Sequence, residues 1–405
     1  MKKKLYIWIQ IIIAATLLGM IVGNVVENMP KPEKKAKYIF LFIGDGMGFS
    51  HVALTESYLS YKEGKLGGVR TLMSSFPCCG NVSTFSANRN VTCSAAAGTA
   101  IACGQKANNG MIGMNSDSTV IYSTASVLKS EGYKIGIVST APINHATPSA
   151  FYAHNINRNN AYDIATDILE SDFEYFAGAG FLDYKGGDGN NRPINEILEE
   201  KGYVISYNKE EFKELSKNSE KNIFCQPTSL NQDAANYSVQ QNDVDATLGW
   251  MLETGMELLG DEDPFFFMCE GGVIDWSAHA NSPMAVVTDM LEFDDAIRIA
   301  YEFYQKHPEE TLIIVTADHE TGGLSLGTNS KSIKWNKLEE NWAQNQSFDL
   351  DKTIENREFS NQCSIGWTTG SHTGAHVPIF AIGVGAEKFN GSMDNTDIKD
   401  KILCK

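Results

Sequence analysis

The chain has 405 residues, 42% of them hydrophobic and 20% charged, with a formal net charge of −17. That composition supplies a large core and excludes a wholly disordered chain. The acidic balance leaves no basic surface for a nucleic-acid backbone, but a phosphate ester remains open as substrate wherever bound cations reverse the local field.

Met1-Lys2-Lys3-Lys4 is a basic start, and Leu5 to Gly23 is then almost wholly apolar, with Gln10 the exception. Residues 1–23 read as an export signal or a retained membrane anchor, and no small-x-small cleavage site near their end decides between the two. Residues 24–37 are a polar linker. Either reading exports the chain, to a periplasm or the outer face of a membrane. Eight cysteines in an exported chain permit disulfides, and none shows C-x-x-C metal spacing. Cys269 lies within an apolar run and reads as a buried thiol.

From Tyr38 onward, short apolar runs read as buried parallel strands: Tyr38–Ile43, Lys134–Val138, Pro264–Met268, Leu312–Val315 and Ile379–Ile382. Helix-like stretches lie between them, at Asn160–Glu170, Asp243–Leu259 and Pro283–Gln305. The alternation predicts a single α/β domain over 38–405, with a large, mostly parallel central sheet and helices on both faces. The polar stretch 327–362 reads as a loop-rich insertion at an edge or an oligomer contact.

Most chemically loaded residues follow a strand run, and open α/β sheets gather ligands at the carboxyl ends of their strands. Gly44-Asp45-Gly46-Met47-Gly48 sets an acid between glycines, which on its own is equally a turn. In Thr92-Cys93-Ser94-Ala95-Ala96-Ala97-Gly98 a hydroxyl opens a run of small residues. Ser94 is there either a helix cap or a group exposed to the positive end of the helix dipole. His145-Ala146-Thr147-Pro148 follows another strand, and Arg158 downstream offers a planar grip for phosphate oxygens. Glu270 ends a strand; Asp275 and His279, four apart, share one face of a helix and suit zinc, or form a simple ion pair. Asp318-His319 follows a strand, and His372 precedes the last one. His376, which leads into a strand, reads as a neighbour supporting the ligands or as a bystander. Core packing predicts no such gathering at strand ends.

The blocks IGDGMG, TCSAAAGTA, GQKANNG, HATPSAFYAHNINR, EGGVIDWSAH, TADHETGG and SHTG, in this order from Ile43 to Gly374, resemble the alkaline phosphatase family. The resemblance implies a phosphate monoesterase with a phosphoserine intermediate at Ser94, with Thr92 the minor alternative nucleophile. It implies two zinc ions, one on Asp275, His279 and His372, the other on Asp45, Asp318 and His319 beside Ser94. A magnesium ion would sit near Asp45, Thr147 and Glu270, and Arg158 would clamp the phosphate. A homodimer is implied by the family alone. Rival readings are a phosphodiesterase, sulfatase or phosphonate hydrolase of the same superfamily and, from another class, a non-catalytic metal-stabilised envelope protein.

Three neighbours of this site depart from the best-known bacterial pattern of the family. Cys93 stands where an Asp usually orients the arginine, so Arg158 is expected to lack its carboxylate and to hold phosphate more loosely. His145 stands where some members carry Asp, which weakens magnesium and admits zinc or cobalt. Trp276 replaces a cationic residue and is expected to stack on or cap the site.

Overall fold

The five apolar runs become the middle of one sheet. The computed structural model describes Thr16 and residues 35–226, 246–345 and 353–405. The expected export segment, residues 1–23, lies outside the described residues apart from Thr16. Among the described residues, no helix is long and apolar enough to cross a membrane.

In chain order the strands are β1 (Tyr38–Gly44), β2 (Cys78–Ser83), β3 (Lys134–Ser139), β4 (Tyr175–Gly178), β5 (Val204–Ser206), β6 (Asn222–Cys225), β7 (Phe265–Gly271) and β8 (Thr311–Thr316). They continue with β9 (Glu320–Thr321), β10 (Leu324–Leu326), β11 (Ile365–Trp367), β12 (His372–Thr373), β13 (Val377–Gly383) and β14 (Gly391–Asp394). Ten of them form one sheet in the order β14-β2-β13-β8-β1-β7-β3-β4-β6-β5. Every pairing in it is parallel except the two made by β13. Two small antiparallel pairs, β10 with β11 and β12 with β9, sit beyond the main sheet in the pairing order.

The centre is apolar on both faces because it is covered on both. In β1 the alternate residues Tyr38, Phe40 and Phe42 meet Phe265, Phe303 and Phe293, the last two on the helix Pro283–Lys306. The intervening Ile39, Leu41 and Ile43 are just as fully buried, on the other face. Each such aromatic side chain contributes about 1.5–3 kcal/mol by leaving water.

Helices fall close to expectation at Pro283–Lys306 and Leu248–Leu259; the latter opens on Thr247, whose hydroxyl accepts from Trp250 N–H. The stretch expected as one helix over Asn160–Glu170 breaks into Ala161–Thr166 and Ile168–Ser171. The polar stretch 327–362 is not a plain loop. It carries the helices Trp335–Asn345 and Thr353–Gln362. Trp335 and Leu338 are buried, and Trp335 packs on Tyr58 and Tyr61 of the helix Phe49–Lys62. Its apolar residues are few in a stretch otherwise rich in Asn, Glu and Gln. All eight cysteines are free thiols, and Cys269 is buried in β7.

Candidate metal centre and nucleophile

The parallel direction of β1, β3, β7 and β8 brings their carboxyl ends to one rim. Asp45 follows β1, the loop carrying His145 follows β3, Glu270 closes β7, and Asp318 and His319 follow β8. The antiparallel run of β13 completes the set: its beginning, not its end, lies at this rim, so His372 precedes the strand.

Local sequence explains each placement. Gly46 has φ +76, and a Cβ there would lie 2.9 Å from both the Asp275 backbone and the Thr321 hydroxyl. Only glycine lets the Asp45 turn lie against those residues. The helix Ser94–Cys103 is built of small side chains apart from Ile101, all buried. Its cap position, Cys93, makes no side-chain cap bond, so the first-turn amides keep free N–H groups, suited to an anion. Asp275 and His279 sit one turn apart on the helix Val273–His279 and touch, Oδ2 to Nε2, at 3.2 Å.

Three groups of carboxylate and imidazole atoms result, each with its ligand atoms within 4.8 Å of one another: Asp275, His279 and His372; Asp45, Asp318 and His319; and Asp45, His145 and Glu270. Ser94 Oγ lies 3.2 Å from His319 Nε2. Thr147 Oγ1 donates to Asp45 Oδ2 at 3.5 Å. All eight expected metal residues and Ser94 thus converge, and Arg158 reaches them through His145, at 3.0 Å from Nη2 to Nε2. Trp276 meets the His145 ring edge-on at 5.7 Å. His376 instead hydrogen-bonds Asn81 on β2 and takes no part.

The histidines are oriented from behind. His279 Nδ1 donates to Gly370 O at 2.7 Å and His372 Nδ1 to Thr92 O at 3.0 Å. His319 Nδ1 lies 3.3 Å from Thr321 Oγ1, which in turn donates to Asp275 Oδ1. Each ring therefore turns its Nε2 to the centre, the edge that metal-binding imidazoles use. Thr321 escaped the sequence reading although it lies inside the TADHETGG block, because its partner Asp275 is remote in sequence. Ser139, which donates to Glu270 Oε2, is a further support with no local signal.

The electrostatics call for cations. Burial, then the neighbouring acids Asp318 and Asp275, pushes Asp45 well above the usual carboxylate range. Burial likewise lifts Glu270 to about 8 and Asp318 to about 7. Burial also holds His319 well below its usual value and lowers His372, so both present neutral imidazoles. For Asp275 burial opposes ionisation, but the hydrogen bond from His279 and the three nearby histidines outweigh it and hold the carboxyl low. Asp45 Oδ1, Asp318 Oδ2 and Glu270 Oε1 are buried without a hydrogen-bond partner. Orphaned carboxylate oxygens beside neutral imidazoles fit divalent cations: the group with two imidazoles suits zinc, and the other two each offer two carboxylates and one imidazole, with the Thr147 hydroxyl beside Asp45 adding a hard oxygen.

A serine on an uncapped helix start, facing cation-seeking acids across a sheet rim, places the chain among the hydrolases of phosphate esters. The sequence profile of alkaline phosphatases matches residues 36–404. Alkaline phosphatase 3 of Bacillus subtilis is 30% identical over 440 aligned positions, covering 94% of this chain and 92% of that protein. The solved alkaline phosphatase of the Antarctic bacterium TAB5 is 32% identical, with TM-score 0.75, covering 92% of this chain and 98% of that one. A point variant of the TAB5 enzyme, solved with magnesium bound in its M3 site, is 31% identical at TM-score 0.74 over the same shares of the two chains. The chain belongs to the alkaline phosphatase family and is a phosphomonoesterase.

Proposed function

We propose that the chain hydrolyses phosphate monoesters in two in-line displacements through a phosphoserine at Ser94, with zinc in the group of Asp275, His279 and His372 and in that of Asp45, Asp318 and His319, and magnesium beside Asp45, Thr147 and Glu270. The observation that carries this reading is Ser94 Oγ, 3.2 Å from His319 Nε2 and at the start of a helix with uncapped amides. When bound, the cations supply Lewis-acid stabilisation of the attacking and leaving oxygens.

The chain's own residues do the rest. The first-turn amides of the helix Ser94–Cys103 and the Arg158 guanidinium receive the phosphoryl oxygens, which orients phosphorus for attack. Ser94 gives its proton to water as its oxygen bonds to phosphorus; the bond from phosphorus to the ester oxygen breaks, and that oxygen takes a proton from water and leaves as the alcohol. Water then cleaves the phosphoserine from the opposite side, so configuration at phosphorus is retained over the two steps. Grip on the phosphoryl group, with little on the leaving group, supports a broad range of monoesters as substrates.

The magnesium found in the TAB5 variant supports a third cation in this family. Export, a homodimer and anchoring by residues 1–23 belong to the same reading. The test is aryl phosphate turnover by purified enzyme with and without chelator, with metal content measured alongside. Zinc-dependent monoester hydrolysis that far exceeds diester hydrolysis is expected. Full activity after complete metal removal would overturn the reading.

A further inference from the structure

Arg158 is held in an unusual way. Its backbone N–H donates to Gly110 O at 2.8 Å, and Gly110 N–H in turn donates to Cys93 Sγ at 3.1 Å. The thiol of Cys93 is thus spent on the loop beneath the arginine and not on the guanidinium. Among the described residues, no carboxylate lies within ion-pair distance of Arg158. What its Nη2 does meet, at 3.0 Å, is His145 Nε2.

A guanidinium can only donate, so this contact fixes the state of the imidazole: Nε2 is the acceptor and the ring proton sits on Nδ1. His145 Nδ1 is buried with no hydrogen-bond partner of its own. The backbone of His145 is locked by its carbonyl, which accepts from Ser149 N–H at 3.1 Å and Ser149 Oγ at 2.6 Å. Trp276 stands edge-on against the ring, with planes at 89°.

We propose that His145 is the positioning residue for Arg158, its Nε2 lone pair aiming the guanidinium at the substrate phosphoryl group, and that this hold and ligation of a third cation by His145 exclude each other. The exclusion follows from counting protons and lone pairs. Ligation through Nδ1 moves the ring proton to Nε2, where it faces the guanidinium. Ligation through Nε2 takes the lone pair itself. An imidazole-seeking ion such as zinc in the group of Asp45, His145 and Glu270 therefore releases Arg158. A hard ion content with the oxygens of Asp45, Glu270 and Thr147 does not. The inference rests on the proposed role of Arg158 as the phosphate clamp.

The test uses two substitutions that each keep half of the ring. His145→Gln puts an acceptor near the Nε2 position; His145→Asn keeps a polar group only near Nδ1. Binding of inorganic phosphate to the magnesium- and zinc-loaded enzyme is measured by equilibrium dialysis, with metal content per chain checked for each variant. His145→Asn is expected to weaken phosphate binding by roughly tenfold, the scale of one hydrogen bond to a charged group. His145→Gln is expected to stay within about twofold of the parent by the same measure. In an Arg158→Ala background, neither change should matter further. Equal losses in the two variants, or a full His145→Asn loss without Arg158, would overturn the proposal. If Arg158→Ala alone leaves phosphate binding intact, the clamp reading fails instead. A second measurement needs no variant: long-range proton–nitrogen spectra of histidine-labelled parent enzyme should find the His145 proton on Nδ1 with magnesium bound. A proton on Nε2 in that state contradicts the proposal.

Discussion

Thr321 links the group of Asp275 to the group of Asp318 and His319. Its hydroxyl accepts from His319 Nδ1–H at 3.3 Å and donates to Asp275 Oδ1. Both partners and Thr321 itself are buried. Thr321→Val keeps the β-branched shape and the backbone bond from Thr321 N–H to Gly46 O. It leaves one buried N–H and one carboxylate oxygen without a partner. Bonds to charged groups contribute about 1.5–3 kcal/mol, and an orphaned buried donor costs about 1–3 kcal/mol. Bound zinc recovers part of this by taking the carboxylate charge, so the expected loss is about 10–100-fold in zinc affinity, the range for outer partners of ligands. Competition with a zinc-chelating dye reads that constant directly, without turnover. Zinc retention equal to the parent, with Val confirmed in place, would refute the argument that Thr321 orients both groups.

Three further outcomes follow from the same geometry. Ser94→Ala should lower monoester turnover by roughly a thousandfold or more while leaving zinc content and thermal stability near the parent values, as steady-state rates and metal analysis check. In metal-free protein, the folded state holds Glu270 (about 8) and Asp318 (about 7) protonated to higher pH than the unfolded chain does. The stability these two groups contribute is therefore present below the usual carboxylate range and is lost as pH climbs through those values, while cation affinity rises with the protons released; melting temperatures with chelator from about pH 5 to about pH 9 check this. Gly136→Ala sets a Cβ 2.1 Å from the Phe267 ring in the paired strand and should destabilise by about 1–3 kcal/mol, measured by denaturant unfolding.

How far these features can be read without coordinates depends on the residue. β1, β3, β7, β8 and β13 are legible because a strand buried on both faces is a continuous apolar run. The direction of β13 is not, since such a run looks the same either way, and only its reversal explains why His372 comes before its strand. β2, Cys78–Ser83, alternates buried and exposed residues around a glycine and gives no comparable run. The three-residue β5 is too short to declare itself. Asp275 and His279 are legible from helical spacing. Thr321, Ser139 and the carbonyls behind His279 and His372 are not, because each acts across a gap in sequence that only the fold closes. The Cys93 and Arg158 pair shows the same limit. The sequence tells which carboxylate is missing, but the stand-in, His145, is visible only in space.

The nucleophile is the claim on which the rest depends. Acid quenching of the enzyme during turnover, followed by peptide mass spectrometry, tests it directly. The account predicts a phosphoryl group on Ser94, absent from the Ser94→Ala variant. A phosphoryl group on Thr92, or none on any residue while turnover proceeds, contradicts it.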